Sequence, residues 1–212
     1  MGEVLQEKLM ELQPGYLPLM EHFYTIQGEG YHSGKAAYFL RLGGCDVGCV
    51  WCDVKESWDA SLHPQVSIAQ MVNYALEAKA LNLVITGGEP FMYNLQYLTE
   101  YIHSKGLKAW VETSGAYPLT GSWDWVCLSP KKFKKPVKSI YAHANELKII
   151  VYNKSDFDWA MEHAALVNEA CKLYIQPEWS REKEVMPLII DFVKANPGWT
   201  ISLQTHKYLH IP

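Results

Sequence analysis

From residue 67 to the end of the chain, short apolar runs alternate with amphipathic segments, and no other feature restricts the fold so strongly. The runs at 82–86, 107–112, 123–128, 147–152, 173–175 and 199–203 have the length and residue content of strands. Between them, 67–78, 95–105, a segment opening at Ser155 and 184–194 carry helical periodicity. In the first of these Ile68, Met71, Val72, Tyr74 and Ala75 fall near one face. Such alternation predicts a parallel sheet with crossover helices. Upstream, 20–26 and 36–42 read as strands and 43–66 as a loop rich in Gly, Cys, Trp and Asp. Residues 3–12 read as a polar-leaning helix stopped by Pro14 and Gly15.

The turns at the strand ends carry the most information. Gly87-Gly88-Glu89-Pro90, Glu112-Thr113-Ser114-Gly115, Ser129-Pro130-Lys131, Gln176-Pro177-Glu178 and Gln204-Thr205-His206-Lys207 all stand at carboxyl ends. That edge is where parallel α/β folds place ligands. With 212 residues the chain is one long domain, and it falls short of the roughly 250 residues of a usual closed eight-fold βα barrel. The expectation is one domain over 1–212, with 1–17 as an N-terminal extension and 205–212 as a tail reaching the active site. A net charge of −4 argues against a nucleic-acid-wrapping protein. No apolar run approaches the ~18 residues of a membrane span. The opening MGEVLQEKLMEL lacks the basic region and apolar core of a secretory signal. The expected compartment is a reducing cytoplasm, where clustered cysteines point to metal or catalysis.

Five cysteines cannot all pair internally. Cys45, Cys49 and Cys52 lie within eight residues, while Cys127 and Cys171 are isolated. The cluster has three readings. It could be a set of unrelated core thiols, although such thiols rarely gather in a Gly/Asp-rich loop. It could be structural zinc completed by His22, His32 or His63. It could be an iron–sulfur cubane, whose fourth iron three cysteines would leave open to a small chelating molecule. Arg41 is a second signal, because it interrupts the apolar strand Tyr38-Phe39-Leu40-Arg41-Leu42. A half-buried guanidinium needs a partner, either a protein acid or a ligand carboxylate held as a fork.

The spacing C-x3-C-x2-C after a strand, with Gly87-Gly88-Glu89-Pro90 after the next, resembles the radical S-adenosylmethionine superfamily. The resemblance implies an α/β fold: a partial, incomplete βα barrel, a compact variant with parallel strands and outer helices. It implies a [4Fe–4S] cluster on Cys45, Cys49 and Cys52, with S-adenosylmethionine bound at the open iron. Thr25-Ile26-Gln27-Gly28-Glu29-Gly30, Arg41, the Ser129, Gln176 and Gln204 turns and the ending Ile211-Pro212 narrow this further. From about residue 20 onward the set is similar to the 7-carboxy-7-deazaguanine synthase family of lyases. That family converts 6-carboxy-5,6,7,8-tetrahydropterin to 7-carboxy-7-deazaguanine with loss of ammonia, for queuosine and other 7-deazapurines.

Mapped residue by residue, the resemblance assigns the cofactor to Trp51, Cys52, Asp53, Gly88, Glu112, Ser129, Pro130, Lys131, Gln176, Pro177, Glu178 and Trp179. It assigns the substrate to Ile26, Gln27, Gly28, Arg41, Thr86 and the terminal carboxylate of Pro212, with Glu29 and Arg41 catalytic. It further implies a homodimer and an electron donor such as a flavodoxin or ferredoxin, with no nucleic-acid or membrane partner. One departure stands out. Many members carry Thr or Ser after Cys52-Asp53 to help hold Mg2+, and here the residue is Val54, whose side chain offers no oxygen donor. Two rivals are a radical activase acting on a protein partner and a non-catalytic, zinc-stabilised binding module.

Overall fold

The computed structural model describes residues 15–212. The helix expected over 3–12 and most of the expected N-terminal extension lie outside them. Nine strands form one sheet: β1 (Tyr16–Ile26), β2 (Ala36–Leu42), β3 (Gln65–Ser67), β4 (Asn82–Gly87), β5 (Lys108–Thr113), β6 (Trp125–Leu128), β7 (Glu146–Val151), β8 (Lys172–Pro177) and β9 (Trp199–Ile201). Their spatial order is β3-β1-β2-β4-β5-β6-β7-β8-β9. The described helices are α1 (Ile68–Glu77), α2 (Gln96–Ser104), α3 (Ser155–Ala164), α4 (Glu182–Ala195) and the short α5 (Thr205–Leu209).

From β2 through β9 every neighbouring pair is parallel, as the alternation predicts. β1 departs, running antiparallel to both β2 and β3. The cause is the short connection 27–35. A parallel pair needs a crossover of about a dozen residues or more, and this link allows only a hairpin. β3 straddles the end of the stretch read as loop (43–66) and the first residue read as helix; Gln-Val-Ser has too little apolar alternation to announce a strand. The α/β class with a mostly parallel sheet and outer helices therefore holds. The sheet is open, with β3 and β9 as its edges.

The two faces of the sheet divide by the period of two. Leu40, Leu42, Leu83, Ile85, Val111, Leu128, Leu147, Ile149 and Ile175 are buried against helix residues such as Met71, Val72, Leu98, Ile102, Ala160 and Ile189. Ser67 caps α1, its Oγ accepting from Gln70 N at 3.2 Å. The opposite face carries Phe39, Val84, Trp110 and Trp125 low on the strands. Nearer the carboxyl ends it carries Arg41, Thr86, Glu112, Lys148 and Gln176. Although β2 and β4 to β8 lie between, the end of β1 meets the chain after β9. Thr205 N and Oγ1 donate to Gly28 O at 2.9 and 3.0 Å. No helix among the described residues is long and apolar enough to cross a membrane.

Candidate active site

A cavity of about 350 Å³ opens at the carboxyl ends of the parallel strands. One wall is the loop after β2, where Cys45, Cys49 and Cys52 stand beside Trp51. The thiols pack with Val47 and Ala116. Burial pushes Cys45 up to about 11 and raises Cys49, the latter against the pull of Lys131. A metal centre supplies the positive charge that makes such thiols into thiolates. Among the described residues, no three Cys, His, Asp or Glu side chains converge closely enough to hold a single ion. Tetrahedral zinc, with Zn–S of about 2.3 Å, would bring its sulfurs within roughly 4 Å of one another.

The candidate zinc histidines are engaged elsewhere. His63 Nε2 bonds Glu56 O at 2.8 Å. His22 stacks on Tyr74 and bonds the Tyr38 hydroxyl, and His32 stacks on Trp110. The donor set fits a multi-iron cluster with one thiolate per iron.

The glycine turn after β4 locks onto this loop. Gly88 N donates to Leu42 O and Glu89 N to Gly44 O. A Cβ at Gly88 would run into the Gly44 carbonyl and stop 3.2 Å from Cys45 Cβ. The glycine is thus demanded by the approach of two backbones, in addition to any ligand. Glu89 is buried and fully bonded: it accepts from Phe91 N, Thr113 Oγ1, Ser114 N and Ser114 Oγ at 2.5–3.1 Å. It fastens the turn to the end of β5.

The cavity floor is a polar layer. Lys148, 4 % exposed, donates to Glu29 Oε2 at 2.5 Å and Glu112 Oε2 at 3.3 Å. Gln204 Nε2 donates to Glu29 Oε1 at 2.8 Å, and Gln27 Nε2 to Glu112 Oε1 at 2.9 Å. Burial by itself would raise the Glu29 carboxyl. The Lys148 charge and hydrogen bonds from Lys148, Gln204 and Gln176 prevail and hold it at about 2. For Lys148 burial opposes the charge, and the Glu112 and Glu29 carboxylates overcome it, keeping its pKa well above the lysine range. Lys148 was not among the expected site residues. Its signal is the same as that of Arg41: a cation inside an apolar strand, Glu-Leu-Lys-Ile-Ile-Val.

Arg41 lines the same cavity. Its Nε lies 2.5 Å from Glu21 Oε1 without hydrogen-bond alignment, and its guanidinium stands over Phe23. A protein acid is therefore its partner here, one that is itself half-exposed. Lys131 Nζ is held by Ser129 O and Oγ at 2.6 Å and stands 5.9 Å over the Trp51 ring. Burial, aided by Lys148, lowers its pKa. Lys132 and Lys134 pair with Asp156 and Asp46 at 2.6 and 2.7 Å.

The remaining expected residues mostly converge here: Ile26, Gly28, Asp53, Thr86, Gly88, Gln176, Pro177, Glu178, Trp179 and Pro212 all line the cavity. Pro130 does not, its ring lying outside the lining. Glu178 spends its carboxylate on Ser180 N and Oγ. The tail also brings His206 and Lys207 to the cavity. Lys207 stands 4.7 Å over Trp179 and 3.9 Å from Asp53. A Cβ at Gly28 would overlap the His206 ring, so this glycine admits the tail.

Residues 26–121 match the model of a 4Fe-4S single cluster domain. Among curated relatives, a 7-carboxy-7-deazaguanine synthase of Flavobacterium psychrophilum is 58 % identical, over 92 % of this chain and 93 % of its own. One of Synechocystis is 46 % identical, over 96 % and 97 %. One of Escherichia coli K12 is 32 % identical, over 92 % and 98 %. The crystal structure of QueE from Escherichia coli superposes with a TM-score of 0.79 at 29 % identity, covering 89 % of this chain and 93 % of that one.

Proposed function

The chain belongs to the 7-carboxy-7-deazaguanine synthase family, and from that membership we propose that it contracts 6-carboxy-5,6,7,8-tetrahydropterin to 7-carboxy-7-deazaguanine with loss of ammonia. The observation that carries the reading is one cavity with three thiols on a wall and Arg41, Glu29, Glu112 and Lys148 facing the same space. Cys45, Cys49 and Cys52 would hold a [4Fe–4S] cluster. The chemistry supplied by that cluster with S-adenosylmethionine is a hydrogen-abstracting radical.

The chain's own share is binding, orientation and proton placement. Arg41 exchanges its exposed partner Glu21 for the substrate carboxylate, which its fork can grip with two parallel bonds. Lys148 keeps a proton at Nζ, and Glu29 stays ionised beside it. Gln27, Thr86 and the terminal carboxylate of Pro212 offer polar groups to the pterin ring. Thr25 Oγ1, donating to Pro212 O at 3.3 Å, supports a tail placed for that task. Trp51, Asp53, Gly88, Glu112, Ser129, Lys131, Gln176, Pro177 and Trp179 surround S-adenosylmethionine. Val54 gives Mg2+ no side-chain ligand, and its carbonyl already accepts from Ser57. Any such ion would take its oxygens from substrate, cofactor and water.

We read residues 1–212 as one domain, a homodimer subunit of the reducing cytoplasm served by a flavodoxin- or ferredoxin-like donor. The contact of Thr205 with Gly28 across the trough supports an incomplete barrel. The test is anaerobic incubation of the reconstituted, reduced protein with S-adenosylmethionine and the carboxytetrahydropterin. Formation of 7-carboxy-7-deazaguanine and ammonia is expected; 5′-deoxyadenosine without pterin turnover would refute the substrate.

A further inference from the structure

Beneath the polar layer lies a second, small cavity of about 10 Å³. Gln27, Glu29 and Glu112 form its roof, shared with the active site, and His32, Cys127 and Glu146 reach it from below. His32 is clamped there by aromatic rings. It stacks on Trp110 at 3.8 Å and meets Trp125 edge-on at 4.6 Å. Both of its ring nitrogens are buried without a hydrogen-bond partner among the described residues. Burial, with Lys35 nearby, lowers its pKa to about 4, so the ring is neutral at pH 7. A neutral imidazole has one donor and one acceptor to satisfy, and native folds rarely leave both orphaned.

Glu146 fills the facing wall. Its Oε2 accepts from Trp125 Nε1 and Tyr31 N, and its Oε1 takes the space that a Cβ at Gly30 would fill. Most of the cavity lining is apolar, from Val84, Trp110, Val111 and Trp125, but His32 and the Glu112 and Glu146 side chains give it polar groups, and its volume reaches the roughly 10–15 Å³ at which one water fits. From these observations we infer that the cavity is a binding site for one internal water held between His32 and the Glu146 and Glu112 carboxylates. Through that water His32 is a positioning residue for Glu112. Glu112 is then held from above by Gln27 and Lys148 and from below by the water. The consequence for cofactor binding rests on the reading that Glu112 meets S-adenosylmethionine.

A crystal structure of the reconstituted enzyme reads the water directly, whether or not the pterin is turned over. A peak within about 3.2 Å of His32 and of a carboxylate is expected; an empty cavity, or a ring whose nitrogens find protein partners, overturns the inference. His32→Phe keeps the stack and removes the nitrogens. It should weaken S-adenosylmethionine binding about ten-fold, raising KM with kcat within about two-fold, at unchanged iron content. His32→Gln can still hold the water and should recover most of that affinity. If His32→Phe binds the cofactor as the natural chain does, or His32→Gln is no better than His32→Phe, the positioning role is refuted. Should the pterin fail as substrate while the water is present, the proposed function falls and the site stands.

Discussion

β7 presents two surfaces built from alternate residues of one six-residue strand. Leu147, Ile149 and Val151 are fully buried under the helices. Glu146 and Lys148 are about equally buried, yet they face charged and polar groups across the trough. β5 repeats the pattern, with Ala109 and Val111 on the helix side and Trp110 and Glu112 on the other. Glu146 and Lys148 are buried as deeply as the helix-side residues, and Glu112 in large part, but the physical meaning of that burial differs. On the helix side it is apolar area removed from water, which stabilises the fold. On the trough side it strips water from charges, which is tolerable only because each has a partner. Substitutions on the trough side should therefore remove function, and those on the helix side should remove stability.

The largest effect belongs to the cysteine wall above the trough. Cys49→Ala should yield protein without the iron content of a four-iron cluster and without turnover, while circular dichroism shows the fold retained. Full activity in that variant would refute the assignment of the cluster.

Lys148→Met comes next and tests the division most sharply. It preserves volume and leaves Glu29 and Glu112, both largely withdrawn from solvent, with no cation between them. Removing one partner of a buried ion pair costs about 3–5 kcal/mol, and turnover should fall by more than about a hundred-fold. Urea unfolding and product assays read the two losses separately. Lost turnover with unchanged stability would show that the pair is not desolvated as its 4 % exposure implies.

Arg41→Ala should weaken substrate binding by about ten- to a hundred-fold, the worth of charge-assisted hydrogen bonds, with little effect on S-adenosylmethionine. Equal substrate affinity would mean that the Glu21 pair is all that Arg41 does. On the helix side, Leu147→Ala should cost roughly 2–5 kcal/mol, with kcat changed by less than about two-fold where the variant remains folded. A larger loss of kcat would erase the contrast between the faces.

The same contrast explains what the sequence disclosed. The strands of the parallel body carry their apolar face as a period, and so do α1 and α2, so they were legible within a residue or two. β3 was not, because three residues with one apolar side chain have no period. The cysteine wall and the glycine turn were legible as spacing, since loops keep sequence neighbours together. The partners of Lys148 were not, nor was the place of His32, named only as a candidate zinc ligand, because both rest on contact across the sheet. Lys148 is 119 positions from Glu29, and His32 lies against Trp110 of β5. Arg41 was found as a strand cation, and the same rule applied to β7 would have found Lys148.

The smallest effect separates the faces by pH. Glu29 has its carboxyl lowered from 4.5 to about 2 in the fold, because Lys148 and the glutamine amides outweigh burial. The unfolded chain takes up a proton near 4.5, and the folded chain resists until near 2. Stability from Glu29 is therefore complete above about pH 4.5 and is lost as pH falls toward 2, with an upper size of roughly 3 kcal/mol. Glu29→Gln should flatten that part of the stability curve in urea unfolding between pH 5 and the lowest pH at which the protein still folds. Leu147→Ala should lower the whole curve without changing its slope there, since no proton binds on the helix side. A Glu29→Gln curve parallel to that of the natural chain would show that Lys148 does not hold the Glu29 charge, and the charged floor of the trough would lose its central pair.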